Sequence, residues 1–173
     1  FVKGLFSSYF NNVDDKPLSI YNKNPNIDYA PKTVYETNSI YLNVSENYWC
    51  QYIYQFSHEF CHYMNWGHVT QSMRWFEETL CELASHFFLL KSYEKWETTP
   101  SLSNFKHYFN SIFKYKEDLK RNASYFNIAK LFNPESEILR SLEKNEYQRG
   151  YNKYVAIKLL PYFIKSPSLW KIV

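Results

Sequence analysis

In the segment QFSHEFCHYMNW, residues 55 to 66, His58 and His62 stand four apart and Glu59 directly follows the first. Residues i and i+4 of an α-helix project from one face about a turn apart, so two imidazoles at this spacing can reach one tetrahedral zinc ion. Glu59 would point to the adjacent side, where it could take a proton from a zinc-bound water and pass it to a leaving amine. Zinc lowers the pKa of such a water to about 7, so hydroxide becomes available at neutral pH to attack an amide carbonyl. The chemistry implied is hydrolysis of a peptide bond. The HExxH spacing also arises by chance, so its weight depends on the elements that carry it.

The first of these is a helix expected from Glu46 to Asn65, capped by Ser45 and stopped at Gly67. Its apolar ridge is Trp49, Ile53, Phe56, Phe60 and Met64. A second ridge, Gln51, Gln55, His58, His62 and Asn65, is polar throughout. In a helix so rich in aromatics, an unbroken polar stripe implies a polar surface opposite it, and both histidines lie in mid-stripe.

Upstream, FVKGLFSSYF predicts a short helix, PLSIYN a short strand and NKNPNIDYAP a loop. PKTVYETNSIYLNVS offers two runs around Glu36-Thr37-Asn38, and the alternation in SIYLNV marks the second arm of a hairpin. Downstream, a helix is expected from Met73 to Tyr93 with Phe76, Leu80, Leu83, Phe87 and Leu90 as its core side. Beyond Pro100 the chain reads as all helical. One segment is marked by Phe105, Phe109 and Ile112, and another covers Tyr125 to Phe132. A third opens at Asn133-Pro134 and ends near Gly150, and the last runs from Tyr151 to Ile164 with a kink at Pro161.

Composition narrows the classes. Aromatic residues make 21% of 173 residues with only 3 Gly, which suits a compact helical core rather than a disordered chain. Three cysteines, Cys50, Cys61 and Cys81, are an odd number in helical segments and read as reduced and buried, not as a disulfide framework. Residues 1–90 hold 5 Lys+Arg against 9 Asp+Glu, and residues 91–173 hold 15 against 8. The basic residues are spread singly over helix faces, so nucleic acid is not the expected partner. No apolar run approaches the ~20 residues a bilayer span needs, so no membrane association is expected. With no visible signal peptide, the reading is a soluble chain with the cytoplasm slightly favoured. The start at Phe1 rather than Met reads as an expressed fragment or a processed piece.

A third protein ligand is sought in RWFEETLCELASHF. HEFCH followed by WFEETLCELAS resembles the gluzincin zinc metallopeptidases, in which a second helix supplies a glutamate from a pattern like W-x-x-E-[GST]; Trp75-Phe76-Glu77-Glu78-Thr79 fits it. The resemblance covers about residues 39 to 90. It implies a small zincin-like domain, α+β but predominantly helical. A short N-terminal antiparallel sheet and an HExxH active-site helix fill residues 1–66, and a glutamate helix with a helical C-terminal half fills 67–173. It further implies zinc on His58, His62 and Glu78, Glu59 as general base, and Glu82 as a second-shell acid that hydrogen-bonds a ligand histidine and fixes its tautomer. SIYLNV at 39–44 would be the edge strand that receives extended substrate. A tyrosine beyond the glutamate helix would stabilise the oxyanion, with Tyr147, Tyr151 and Tyr154 as candidates and Tyr151 preferred.

Alternatives stay open. Only fifteen residues separate His62 from Glu78, and a longer loop would make Glu82 the ligand. Glu77, about 100° around the helix from Glu78, reads as solvated. His68 reads as a surface loop residue, His86 as second shell or plain helix, and Cys61 as a packed thiol. The expected function is a zinc-dependent peptidase acting on a peptide or protein substrate through a Glu59-activated water. The alternatives are a zincin-fold regulatory protein that cleaves or binds one partner, of the repressor-cleaving type, and a metal-free helical interaction module.

Overall fold

The computed structural model describes residues 2–10, 16–22, 30–45, 48–65, 69–99 and 106–172. The expected stop at Gly67, His68, most of the Pro/Asn-rich loop and Phe105 lie outside them. Among the described residues the architecture is predominantly helical, six α-helices beside a small three-stranded sheet. The helices are α1 (Val2–Tyr9), α2 (Trp49–Met64), α3 (Arg74–Thr98), α4 (Lys106–Arg121), α5 (Glu137–Lys144) and α6 (Arg149–Lys165). The strands are β1 (Ser19–Asn22), β2 (Lys32–Val34) and β3 (Ser39–Leu42).

The hairpin forms as expected. β2 and β3 pair antiparallel with Thr33 opposite Ile40, and Asn38 takes the left-handed conformation (φ 46°) that closes the turn. The sheet as a whole is not antiparallel, however. β1 joins β3 in parallel, Ile20 opposite Ile40, and the strand order is β1-β3-β2. The burial pattern accounts for this: Ile40 and Leu42 are buried and take the centre, whereas all four residues of β1 are exposed, as an edge tolerates. β3 is therefore the central strand, not the edge.

α2 begins at Trp49, three residues later than expected, with Tyr48 and not Ser45 at the cap position. The reason lies one residue before Ser45. Asn22 donates to the Val44 carbonyl and accepts from its N–H, both at 3.0 Å, so the chain is held extended there and cannot yet turn.

α3 is the hub, packed against α1, α2, α4, α5 and α6. Residues 81 to 89 are buried without a break, so burial goes beyond the expected one-sided ridge: of that ridge Leu83 and Phe87 are core and Leu80 packs partly buried against it, while Phe76 and Leu90 are half-buried. A helix enclosed on all sides carries no stripe pattern to read. Around it Phe6 stacks on Phe88 (3.7 Å between centroids) and meets Phe60 edge-on (4.8 Å), and Trp170 packs on Phe10 and Phe163. A smaller cluster of Cys50, Ile53, Leu89 and Ile112 joins α2, α3 and α4.

The expected helix from 133 to 150 is broken, and within 125–132 the chain is irregular up to Asn127, itself extended, before a 3-10 turn at Ile128–Phe132. One device recurs at these breaks. Asn127, Asn133 and Asn145 each accept through Oδ1 from the backbone N–H two residues on, at 3.0, 3.0 and 3.1 Å. Such turns compete directly with helical pairing. α6 starts at Arg149 and runs through Pro161, whose missing N–H sits on the exposed side. Among the described residues no helix is long and apolar enough to cross a membrane.

Candidate metal centre

α2 and α3 run antiparallel, and their facing side chains pair in reverse order. Ser85 Oγ donates to the Tyr54 carbonyl (3.0 Å) and Tyr54 OH to Glu82 Oε2 (2.5 Å), while His58 and His62 meet Glu78 further along. Nε2 of His58 lies 3.4 Å from Glu78 Oε2, and Nε2 of His62 lies 3.2 Å from Glu78 Oε1. One donor atom from each of the three residues falls within 4.8 Å of the others. Ligands about 2.0–2.1 Å from a tetrahedral zinc ion are separated by about 3.3 Å, so the two His–Glu distances fit such a shell. Two imidazoles and a carboxylate are also the donor set that suits it, leaving a fourth position for water or substrate.

The orienting carboxylate is not the one expected. Glu82 bonds neither His58 nor His62: one oxygen accepts from Tyr54, and the other lies 3.1 Å from Nε2 of the buried His86 and 3.8 Å from Lys153 Nζ. Glu77, expected to be solvated, instead holds Nδ1 of His62 at 3.0 Å, with both side chains only 16% exposed. It fixes the tautomer that leaves His62 Nε2 turned to Glu78. The antiparallel crossing explains the exchange. Glu77 is in the first turn of α3, beside His62 in the last turn of α2, whereas Glu82 is one turn too deep and lies beside Tyr54. An acid immediately before the ligand glutamate was the available signal, but its meaning depended on the crossing.

The charges are strongly coupled. Burial alone would lower the His62 pKa, yet hydrogen bonds to Glu77 and Glu78 outweigh it and raise it to about 11. Burial likewise opposes the charge on Glu78, but His58 and His62 hold its pKa at about 2. A metal ion entering between these groups has to displace the His62 proton.

Glu59 is only 6% exposed and lines the same cleft as His58, His62 and Glu78. Thr33 Oγ1 lies 2.7 Å from the Glu59 carbonyl and 3.1 Å from its Oε2, so the hydroxyl's one hydrogen serves either. Tyr35 OH donates to the His62 carbonyl at 3.0 Å. These two contacts from β2 and its turn tie the sheet to the C-terminal half of α2, and neither residue was singled out from the sequence.

The cleft encloses about 870 Å³ between α2, β2, α4 and α6. The polar stripe faces it: Gln51, Gln55, His58 and His62 all line it. Gln55 is also a strut, its amide pairing with both N–H and C=O of Asn43 at 2.9 Å. β3, being central, does not line the cleft, whereas Lys32 and Thr33 of the edge strand β2 do, so the place expected for SIYLNV falls to β2.

Of the three tyrosines, only Tyr147 reaches the cleft. Tyr151 packs on Phe126 (5.4 Å), and Tyr154 is buried against Tyr125 and Phe126 (5.1 Å each), so the preference for Tyr151 is overturned. Tyr147 precedes the α6 start, and the turn built by Asn145 leaves it on the rim of the cleft, 60% exposed, clear of the packing face that claims the other two. Burial, then the Glu78 carboxylate, push its phenol pKa up, so it stays a hydrogen-bond donor. Cys61 is fully buried in the core and free, as are Cys50 and Cys81.

Comparison of the chain with protein-family models, with curated proteins and with solved structures finds no match, so the chemistry of this centre is read from its own geometry.

Proposed function

We propose that the chain is a zinc-dependent peptidase of the gluzincin type, in a small zincin-like arrangement of edge strand, HExxH helix and glutamate helix. One observation carries the reading. Two imidazole nitrogens and a carboxylate lie 3.2 and 3.4 Å apart on the wall of a cleft also lined by a buried glutamate and a tyrosine. Zinc held by His58, His62 and Glu78 would supply Lewis acidity to a substrate carbonyl and to water.

The chain's own residues do the rest. Glu59 takes the proton from the attacking water and delivers it to the leaving amine, while Thr33 holds the carboxylate in place. Tyr147 donates a hydrogen bond to the oxygen on which charge develops. Glu77 keeps His62 in its binding tautomer.

The test is the zinc content of the purified chain beside Glu78→Ala, followed by hydrolysis of casein and quenched peptides beside Glu59→Gln. The expected result is near one equivalent of zinc in the parent and much less in Glu78→Ala. Cleavage should be lost in Glu59→Gln with its zinc retained. A parent that takes up no zinc after reconstitution sinks the reading in favour of a helical interaction module. Zinc without cleavage of any general substrate favours the partner-specific protein.

A further inference from the structure

We propose that this cleft selects peptides bearing a carboxylate close to the scissile bond, and that Arg149 is the residue that reads it. The inference rests on the peptidase reading of the same cleft and adds its substrate class.

Arg149 carries an uncompensated charge at the cleft. The first two turns of α6 present Arg149, Asn152 and Lys153 to the cleft, spaced i, i+3 and i+4 on one helix face. Lys153 is only 13% exposed and already committed, its Nζ lying 3.8 Å from the buried Glu82 carboxylate. Asn152 donates to the Glu146 carbonyl at 2.6 Å and is likewise occupied with the fold. Arg149 is exposed and has no carboxylate partner among the described residues.

The rest of the cleft sharpens the asymmetry. Its lining cations, Lys32, Arg149 and Lys153, are matched by Glu59, Glu78 and Glu82, three against three. A dication on His58, His62 and Glu78 therefore leaves the cleft positive by two charges. Glu59 and Glu78 offset the dication and Glu82 faces Lys153, so the two charges left over are Lys32 on β2, whose Nζ lies 5.8 Å from the centre of the Tyr41 ring, and Arg149 on α6. On the other side of His62 and Glu78 a smaller pocket of about 370 Å³ carries Glu77 and Glu146 with Arg74 as its one cation, 3.9 Å from Glu146. A substrate carboxylate is repelled there and attracted on the Arg149 side. A guanidinium is also suited to it chemically, because its planar fork accepts a carboxylate through two parallel hydrogen bonds.

The carboxylate could be an Asp or Glu side chain or a peptide C-terminus, and the substrates separate the two. Quenched peptides with an amidated end would carry Glu, Gln or Lys beside the scissile bond, and the Gln peptide would be repeated with a free C-terminus. Zinc-loaded parent, Arg149→Lys and Arg149→Glu are compared. The parent should prefer a carboxylate peptide over Lys by about tenfold in kcat/KM, chiefly through KM, Arg149→Lys should keep the charge preference at a smaller ratio because it lacks the fork, and Arg149→Glu should abolish or invert the ratio. Preference in the amidated Glu peptide assigns the side chain, and preference in the free-ended Gln peptide assigns the terminus. Equal rates on every peptide, or a ratio that Arg149→Glu leaves unchanged, overturns the inference.

Binding of the same peptides to zinc-loaded Glu59→Gln, read by fluorescence anisotropy, separates this inference from the reading beneath it. Charge-selective binding with no cleavage by the parent sinks the peptidase and leaves the selectivity standing. Cleavage without charge preference does the reverse.

Discussion

Replacing Glu77 by alanine removes the acceptor that holds His62 Nδ1 at 3.0 Å, in a position where both side chains are only 16% exposed. Among the described residues no other acceptor bonds that nitrogen, so the ring is free to turn and its tautomer is no longer fixed. A hydrogen bond to a charged group is worth about 1.5–3 kcal/mol in such a setting, which is about ten- to a hundredfold in zinc affinity. Competition against a chromophoric chelator at pH 7 measures it directly. Glu77→Gln, which keeps an acceptor but loses the charge, should fall between Glu77→Ala and the parent. Glu78→Ala should lose more than either, since it removes a ligand. Glu82→Ala should leave affinity nearly unchanged, with thermal unfolding run alongside because Glu82 is buried with His86 and Lys153. If Glu77→Ala binds zinc within about twofold of the parent while a folded Glu82→Ala loses tenfold, the orienting role assigned to Glu77 is wrong.

Tyr147→Phe should lower kcat by about a hundredfold with little change in zinc content, whereas Tyr151→Phe should leave turnover alone, and steady-state kinetics on one peptide decides between them. At Gly150 an added Cβ would lie 2.2 Å from Ser124 Oγ and 3.0 Å from Ser124 Cβ, so Gly150→Ala should cost about 1–3 kcal/mol in urea unfolding. Adding Ser124→Gly should restore most of that loss. Burial opposes the charge on Glu82, but His86 and then Lys153 outweigh it and hold its pKa at about 2. A carboxylate pKa depressed in the folded state contributes stability that is present above its unfolded value near 4.3 and lost as pH falls through the folded one. The urea midpoint should therefore drop between about pH 4.3 and 2, and Glu82→Gln should flatten that drop.

Much of the centre was legible because its parts are local. The i, i+4 histidines, the polar stripe running from Gln51 to His62, and a glutamate early in the next helix are patterns within one element each, and the cleft gathers them. The β2–β3 hairpin was legible for the same reason, since four turn residues close it. What escaped depends on how elements meet. Nothing in PLSIYN announces a parallel partner, so β3 was taken for an edge, and the cleft-lining role passed to Lys32 and Thr33. Glu77 and Glu82 exchanged places because the crossing of α2 and α3 sets which acid meets which histidine. Tyr147 and Tyr151 are indistinguishable by type, and only the Asn145 turn separates the cleft from the packing face. Asn127 and Asn145, each bonding two residues forward, interrupt the helices expected over 125–132 and 133–150, and Asn133, expected to cap the second of these, closes a turn ahead of α5 instead.

The antiparallel pairing of α2 and α3 also bears on the order in which the molecule assembles. His58, His62, Glu77 and Glu78 all belong to one helical hairpin between residues 49 and 98, so the contacts among them span few residues, and short-range contacts close fastest. Phe87, Phe88 and Cys81 on the same hairpin, by contrast, wait for α6 and Trp170 to arrive from 60 or more positions later in the chain. If the chain takes zinc as proposed, metal capture would precede completion of the core, and the ion would act as an early clasp that holds the two helices in register while the C-terminal half folds against them. In a refolding experiment, zinc present from the first milliseconds would then speed the approach to the native state, and the same zinc added after folding would only raise the final stability.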